Sequence, residues 1–140
     1  LTNYKISMNF TGLSTVQQVF DQFNLQFPFL RLELYAHGHE GAKGSKPDDQ
    51  VSHETTLNQL NPDIEDNTFD ILPEMTVAEF EKFMKEKYSL NIQVFRKSAD
   101  IWLQTSATDH WTLEKQNGKG QRSTLEYDIP PIDITDFDLE

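Results

Sequence analysis

The spacing of apolar residues changes twice in the first third of the chain. Residues 5 to 10 alternate between polar and apolar side chains, which predicts a strand. Over residues 15 to 25 the apolar side chains recur every three or four positions, and this spacing predicts a helix with one apolar face. In residues 30 to 35 leucines alternate with charged or aromatic side chains, as in a strand that is buried on one side. The predicted order is therefore strand, helix, strand.

The same order of patterns returns after residue 67. Residues 68 to 72 predict a strand, residues 76 to 88 a helix and residues 90 to 94 another strand. The segments STVQQVFDQF and MTVAEFEKFM occupy the same place in the two units. Two β-α-β units in succession predict an α+β domain with a ferredoxin-like β-α-β-β-α-β layer, in which helices cover one antiparallel sheet. The residues expected in the core are Val16, Phe20, Phe23, Leu32, Leu34, Phe80, Met84, Ile92 and Val94.

An extra C-terminal hairpin strand is predicted beyond these two units. Residues 91 to 105 contain two alternating runs on either side of the polar residues 97 to 99, a break of hairpin length. Successive side chains of a strand point to opposite faces, so Trp102 lies on the face that Ile101 and Leu103 do not share. The indole is expected either to pack on an opposing helix or to lie exposed on the sheet.

A polar run, residues 105 to 110, follows the hairpin and has two interpretations. Asp109 can cap a short helix over residues 110 to 117, which Gly118 would close and Trp111 would pin to the sheet. Alternatively, the hydroxyls, the aspartate and the histidine of the run could supply a nucleophile, a base and an orienting group for hydrolysis. Neighbours in sequence usually point apart and no nucleophile-elbow motif is present, so the first interpretation is preferred.

Residues 37 to 67 form a long connection between the two units. Glycines, prolines and charges dominate it, and a loop of this length is usually functional or mobile. The segment TTLNQLN is expected to form one short helical turn that holds it in place. The predicted organisation is a single domain over residues 1 to 125 with this loop inside it, followed by a tail over residues 126 to 140.

Composition limits the class of protein. A chain of 140 residues fits one domain, and it contains no cysteine and no apolar run long enough to cross a membrane. The first ten residues lack a basic region followed by an apolar run, so no signal peptide is predicted, although Leu1 in place of Met suggests trimming. The expectation is a protein of the cytoplasm without disulfides.

The net charge of −11 is unevenly distributed. Residues 1 to 76 carry 4 basic and 11 acidic side chains, residues 77 to 125 carry 8 and 6, and residues 126 to 140 carry 0 and 6. Nucleic acids are bound mainly by neutralising phosphates, so this charge disfavours a nucleic-acid partner. The basic side chains that could form a local patch are Arg96, Lys97, Lys115, Lys119 and Arg122, and scattered cations of this kind more often form a solvated face.

The run VFRKSADIWLQTSATDHWTLEKQN, with FPFLRLELY and MTVAEFEKFM before it, carries a resemblance. It is similar to a family of small bacterial proteins that are uncharacterised. The resemblance covers most of residues 5 to 120, and the segment with two tryptophans is its most distinctive part. Because the family has no known activity, the resemblance implies no catalytic role for any residue.

The long connection contains the candidate metal ligands. His37 and His39 form a His-x-His spacing next to Glu40, and His53 follows in the same loop. These are ligand types for zinc, but the spacing supplies no fourth ligand on a rigid scaffold, so a solvated loop is preferred and no cofactor is predicted. The segment GAKGSK lacks the P-loop pattern, and the acids of the loop lack EF-hand order.

The tail EYDIPPIDITDFDLE combines acids with spaced apolar residues and suits an extended segment in a groove, of this protein or another. It is expected to lie with its acids near Arg96, Lys115 or Arg122 and its apolar residues over Trp102. The leading hypothesis is a non-catalytic protein-interaction module, and the alternative is a small enzyme or metal-binding protein. The oligomeric state is left open. The residues expected to contact a partner are Trp102, Arg96, Lys97, Tyr127, Ile129, Ile132 and Phe137.

Overall fold

The structure is a computed structural model that describes residues 6 to 37 and 47 to 128. Its strands are β1 Ile6–Phe10, β2 Leu30–Tyr35, β3 Asn67–Ile71, β4 Asn91–Ser98 and β5 Ile101–Gln104. Its α-helices are α1 Val16–Gln26, α2 Leu57–Leu60, α3 Val77–Tyr88 and α4 Leu113–Asp128, with 3-10 turns at Pro47–Asp49 and Ser106–Thr108. The predicted α+β class is confirmed.

The strands form two antiparallel sheets within the described residues, and the ferredoxin-like arrangement is not confirmed. β1 pairs with β3, with Met8 opposite Phe69, while β2, β4 and β5 form a separate sheet in that order. In the predicted layer each β-α-β unit returns to one common sheet. Here α1 and α3 each carry the chain from the two-stranded sheet to the three-stranded sheet, so each half contributes to both.

In both β-α-β units the start of the helix is joined by backbone hydrogen bonds to the start of a later helix. Thr15 forms a bridge with Thr56 beside the starts of α1 and α2, and Thr76 forms a bridge with Thr112 beside the starts of α3 and α4. Around each bridge four backbone N–H groups donate to carbonyls across it, at 2.8 to 3.0 Å. The similarity of the halves therefore extends from the sequence pattern to the backbone hydrogen bonds.

All nine residues predicted for the core are buried, so that prediction is confirmed. The core lies between the helices and the two sheets. The ring of Phe23 on α1 stacks on the ring of Phe80 on α3, with centroids 5.3 Å apart. This contact joins the helices of the two units, since each ring comes from a different β-α-β unit.

The hairpin is present, but the helix after it differs from the prediction. Ser98 pairs with Ile101, so the turn consists of residues 99 and 100, whereas residues 97 to 99 were expected. α4 runs to Asp128 rather than ending before Gly118, and Thr112, not Asp109, accepts the first-turn N–H of Lys115 through its side chain. The predicted short helix was therefore wrong in both its start and its end.

The position of Gly120 explains why the glycines do not end α4. A Cβ added there would lie 3.0 Å from both Cβ and the carbonyl oxygen of Phe29, just before β2. Glycine thus allows the helix backbone to approach β2 closely, and the gain in packing outweighs its weak helix propensity.

Part of the long connection is ordered against the core. Gln50 forms a bridge with Tyr35 at the end of β2, and the expected helical turn is confirmed as α2. Residues 38 to 46 lie outside the described part of the chain. None of the helices in that part is both long enough and apolar enough to span a bilayer.

Candidate functional site: the surface around Trp102

One face of the three-stranded sheet carries a mixture of cations, aromatic rings and a buried acid. Directly paired residues of antiparallel strands share a face. Arg31 pairs with Phe95, Glu33 with Gln93, and Lys97 with Trp102. We call this the Trp102 face and define it by these residues: Arg31, Glu33, Gln93, Phe95, Lys97 and Trp102.

Trp102 is partly buried and lies between two cations. The Nζ atom of Lys97 is 5.0 Å from the centroid of the indole ring, and Cζ of Arg31 is 5.9 Å from it. Both distances allow attraction between a cation and the electron-rich ring face. The ring therefore offers a large apolar surface beside two positive charges, a combination that suits a ligand with apolar and acidic groups.

The guanidinium of Arg31 is held in place by Glu33. Its Nε and Nη2 atoms each lie 2.9 Å from Oε2 of Glu33, whose side chain is only 3% exposed. The other carboxylate oxygen, Oε1, lies 2.6 Å from Nε2 of His53. Hydrogen bonds to an ionised group are stronger than neutral ones, so this pair of contacts fixes the orientation of Arg31 beneath the indole.

The hydrogen bonds continue from His53 to α1. Nδ1 of His53 lies 3.0 Å from Oε1 of Gln17, and Nε2 of Gln17 donates to Asp21 at 2.7 Å. The ring of Phe20 meets the His53 ring edge to face, with centroids 5.2 Å apart. His53 thus fastens the long connection both to α1 and to the Trp102 face.

Two concavities adjoin the indole. The smaller, about 160 Å³, is lined by Arg31, Glu33, Gln50, Phe95 and Trp102. The larger, about 390 Å³, lies toward α1, and its wall includes Trp102, Arg31, His53, Pro28 and Leu32. The volume of the larger one falls within the usual range for ligand sites. Trp102 and Arg31 belong to both, so they separate the two concavities.

The outer edge of β2 faces the larger concavity. Val51 N–H donates to the carbonyl of Leu34 at 2.8 Å, so Leu34 directs its backbone groups away from β4. Backbone groups alternate in direction along a strand, and Leu32 therefore directs its N–H and carbonyl to the same edge. No hydrogen bond of these outward groups is formed within the described residues. Leu32 is only 1% exposed, so these outward groups are covered and do not form an open edge.

The structure separates Arg96 from Trp102. Neighbouring residues of β4 point to opposite faces, and Arg96 lies beneath α4, where its Nη1 donates to Oε1 of Gln116 at 3.1 Å. Its Cζ is 5.9 Å from the ring of Trp111, and Nζ of Lys115 is 4.2 Å from that ring. Burial lowers the pKa of the Arg96 guanidinium below its ordinary value. Arg96 therefore belongs to the packing of α4.

Lys97 was also predicted to contact a partner, and it lies on the Trp102 face. The remaining predicted residues belong to the C-terminal tail and have no described side chains. The side chain of Tyr127 is outside the described part of the structure, as are Ile129, Ile132 and Phe137.

The polar run at residues 105 to 110 uses its groups for packing. Oγ1 of Thr105 donates to the carbonyl of Val94 at 2.8 Å, and Oγ1 of Thr108 accepts from Nε2 of Gln116 at 2.8 Å. The carbonyl of Asp109 accepts from a backbone N–H of α3 at 2.8 Å. These bonds join β4, α3 and α4, so the run forms a packed corner.

The two candidate metal ligands that the structure describes, His37 and His53, have different partners. Nδ1 of His37 lies 3.3 Å from Asp49, while His53 is bound to Glu33 and Gln17. His39 lies outside the described residues. In residues 6 to 37 and 47 to 128, no group of three or more histidine, aspartate or glutamate side chains is arranged to hold a metal ion.

Zinc titration checks this interpretation of the histidines. We expect chelator-stripped protein to show no binding of submicromolar affinity in calorimetry, because the contacts of His53 compete with a metal and the loop spacing does not impose tetrahedral geometry. Stoichiometric tight binding that is lost when His37 and His39 are both replaced by alanine would contradict this expectation.

The sequence did not predict four residues of the Trp102 face, Arg31, Glu33, Gln93 and Phe95, or Gln17, which contacts His53. Arg31 and Glu33 occupied the side of β2 that the alternation assigned to solvent, and Gln17 was a polar position of a helix. A salt bridge between residues i and i+2 of one strand was the available signal, since such residues lie on the same face. Comparison of the chain with protein-family models, curated proteins and solved structures found no match.

Proposed function

We propose that this protein is a non-catalytic binding module whose Trp102 face binds an extended, acidic and apolar segment of a partner protein. The observation that carries the proposal is the indole of Trp102 between Lys97 and Arg31 at the border of two concavities. Aromatic and arginine side chains in this setting are the residues that most often dominate protein-protein binding energy.

The charges support an acidic ligand. Arg31 is oriented by Glu33 but keeps 47% of its side chain exposed, so its guanidinium can still be reached by a second carboxylate. Among the described residues no carboxylate lies within ion-pair distance of Lys97. The overall charge of −11 makes this local excess of cations unusual for the surface as a whole.

The larger concavity supports an extended ligand. It adjoins Trp102 and Arg31 and lies toward α1, so alternate side chains of an extended peptide laid across the Trp102 face would enter it. For the alternative enzymatic or metal-binding function, the described residues give no comparable observation. The bacterial family resemblance and a cytoplasmic location stay predictions.

Selection from a displayed library of random peptides tests the proposal. The bait is the chain ended after Asp128, because residues 129 to 140 carry acids of their own that would compete. Every described core residue precedes residue 114, so this shortening removes none of the core. We expect enriched peptides in which aspartate or glutamate alternates with apolar residues.

Trp102→Ala is expected to weaken the binding of a selected peptide by at least about 30-fold, the effect of losing a residue worth about 2 kcal/mol. Leu25→Ala is the matched control, since Leu25 is 80% exposed on α1 and lines neither concavity. Selection without acidic enrichment, or equal affinity for Trp102→Ala, would refute the proposed function.

A further inference from the structure

We infer that residues 129 to 140 of this same chain bind the Trp102 face and compete there with the external partner. The inference rests on the proposed function, because it assigns an occupant to the same surface. Three observations carry it: where α4 ends, how far the tail can reach, and how the tail's residue types match those of the face.

α4 brings the tail to the hairpin that bears Trp102. Oγ of Ser123 lies 3.2 Å from the carbonyl oxygen of Lys97 and accepts from the N–H of Ala99 at 3.1 Å. At residue 123 the helix therefore touches the hairpin turn. The helix ends at Asp128, about 7.5 Å further on at 1.5 Å per residue. The pair of Lys97 and Trp102 is only the second pair from that turn.

The length of the tail is sufficient for this path. Twelve residues, 129 to 140, reach at most about 40 Å when extended. The outer strands of a three-stranded sheet are about 10 Å apart. A tail that passes the end of the hairpin can therefore cross the Trp102 face from β5 to β2. Pro130 and Pro131 favour an extended backbone over a helix at its start.

The residue types of the tail complement the Trp102 face. Residues 129 to 140 contain four acids and no base. Within them Asp136 and Asp138 are two positions apart, so in an extended segment both carboxylates point to the same side. On the face, the indole of Trp102 is flanked by the cations of Lys97 and Arg31. The two carboxylates can therefore lie together against the two cations beside the indole, which is the pairing with the best match of charge.

The opposite face of the sheet is less suited to the tail, although the sequence predicted Arg96 and Lys115 as docking points. Both cations already contact the ring of Trp111, and Arg96 also donates to Gln116. Binding there would require displacing packed contacts of α4. On the Trp102 face the tail would cover the exposed half of the Arg31 side chain and the exposed part of the indole.

Paramagnetic broadening in the full-length chain tests the inference. The chain has no cysteine, so Thr135→Cys accepts a single spin label. Trp102 and Trp111 lie on opposite faces of the sheet, and their indole N–H signals report on the two faces separately. We expect the Trp102 signal to lose more intensity than the Trp111 signal, with recovery when the label is reduced. Equal losses, a larger loss at Trp111, or no loss would overturn the inference.

Matched variants separate charge from proximity. The combined change Asp136→Asn and Asp138→Asn in the labelled chain is expected to reduce the broadening of the Trp102 signal. Raising the salt from about 0.05 M to about 0.5 M should do the same, because exposed charges are screened.

A labelled chain mixed with an unlabelled, isotope-enriched chain detects binding between copies. Broadening of equal size in that mixture would assign the tail to a second copy and overturn the intramolecular contact.

Peptide affinity distinguishes failure of this inference from failure of the proposed function. A selected peptide should bind the full chain at least about tenfold more weakly than the chain ended after Asp128. If the two chains bind it equally, the tail is not the competitor and the proposed function stands. If the shortened chain selects no acidic peptide, the proposed function fails, and the inference that rests on it fails too.

Discussion

Replacement of Phe80 by alanine is expected to lower the free energy of unfolding by about 3 to 5 kcal/mol. The ring is 1% exposed and stacks on Phe23, which is fully buried, at a centroid distance of 5.3 Å. Removing it takes away apolar contacts between α1 and α3 and leaves a cavity that two anchored helices cannot close. The effect is large because this contact joins the two β-α-β units.

Denaturant unfolding followed by circular dichroism measures this change. Phe80→Leu, which keeps most of the volume, should cost much less than Phe80→Ala. Leu25→Ala is the surface control and should change stability by less than about 0.5 kcal/mol, because Leu25 is 80% exposed. A loss below about 1 kcal/mol for Phe80→Ala would show that α3 does not pack against α1 as described.

The sequence predicted the elements better than it predicted their partners. The period at which apolar side chains recur, two in a strand and 3.6 in a helix, is a property of residues close together in the sequence. It located β2, α3 and every predicted core position. The pairing of Met8 with Phe69, in contrast, joins residues 61 positions apart, and nothing in the alternation of either strand selects that partner. Both the predicted sheet and the observed sheets bury the same faces of their strands.

The error in α4 has a different cause. Gly118 and Gly120 are local signals for a helix end, and such signals are usually correct. The contact of Gly120 with Phe29 depends on the position of β2, some ninety residues earlier in the chain, and it reverses the meaning of the glycine. Tertiary packing overrides local propensity here, because the missing side chain is what the packing requires.

The candidate site was predictable only in part. Trp102 was identified because the alternation of the strand sets it on the face that Ile101 and Leu103 do not share, and Lys97 because it belongs to the local group of basic side chains. Glu33 was read as a solvent-facing acid because its neighbours in sequence are consistent with that. Its burial results from His53, which reaches it from a loop twenty residues later. A contact of this kind leaves no periodic signal in the sequence.

Replacement of Glu33 by alanine is the second change with a large expected effect. Its carboxylate binds both Arg31 and His53, so its loss leaves two polar side chains facing a buried space without their acceptor. Removing one member of a fully buried ion pair costs about 3 to 5 kcal/mol. Arg31 and His53 are 47% and 30% exposed and can regain water, so we expect a smaller loss, about 2 to 3 kcal/mol.

A double-mutant cycle in denaturant unfolding tests why Glu33→Ala lowers the free energy of unfolding. Glu33→Gln keeps the shape and one acceptor oxygen, and it should cost less than Glu33→Ala. When His53→Ala is combined with Glu33→Ala, the two losses should fall short of additivity by about 1 kcal/mol, because each change removes the same hydrogen bond. The indole N–H signal of Trp102 should also shift in Glu33→Ala, since Arg31 loses the group that orients it, while the signal of Trp111 should not. Additive losses together with an unchanged Trp102 signal would show that Glu33 does not hold the Trp102 face in place.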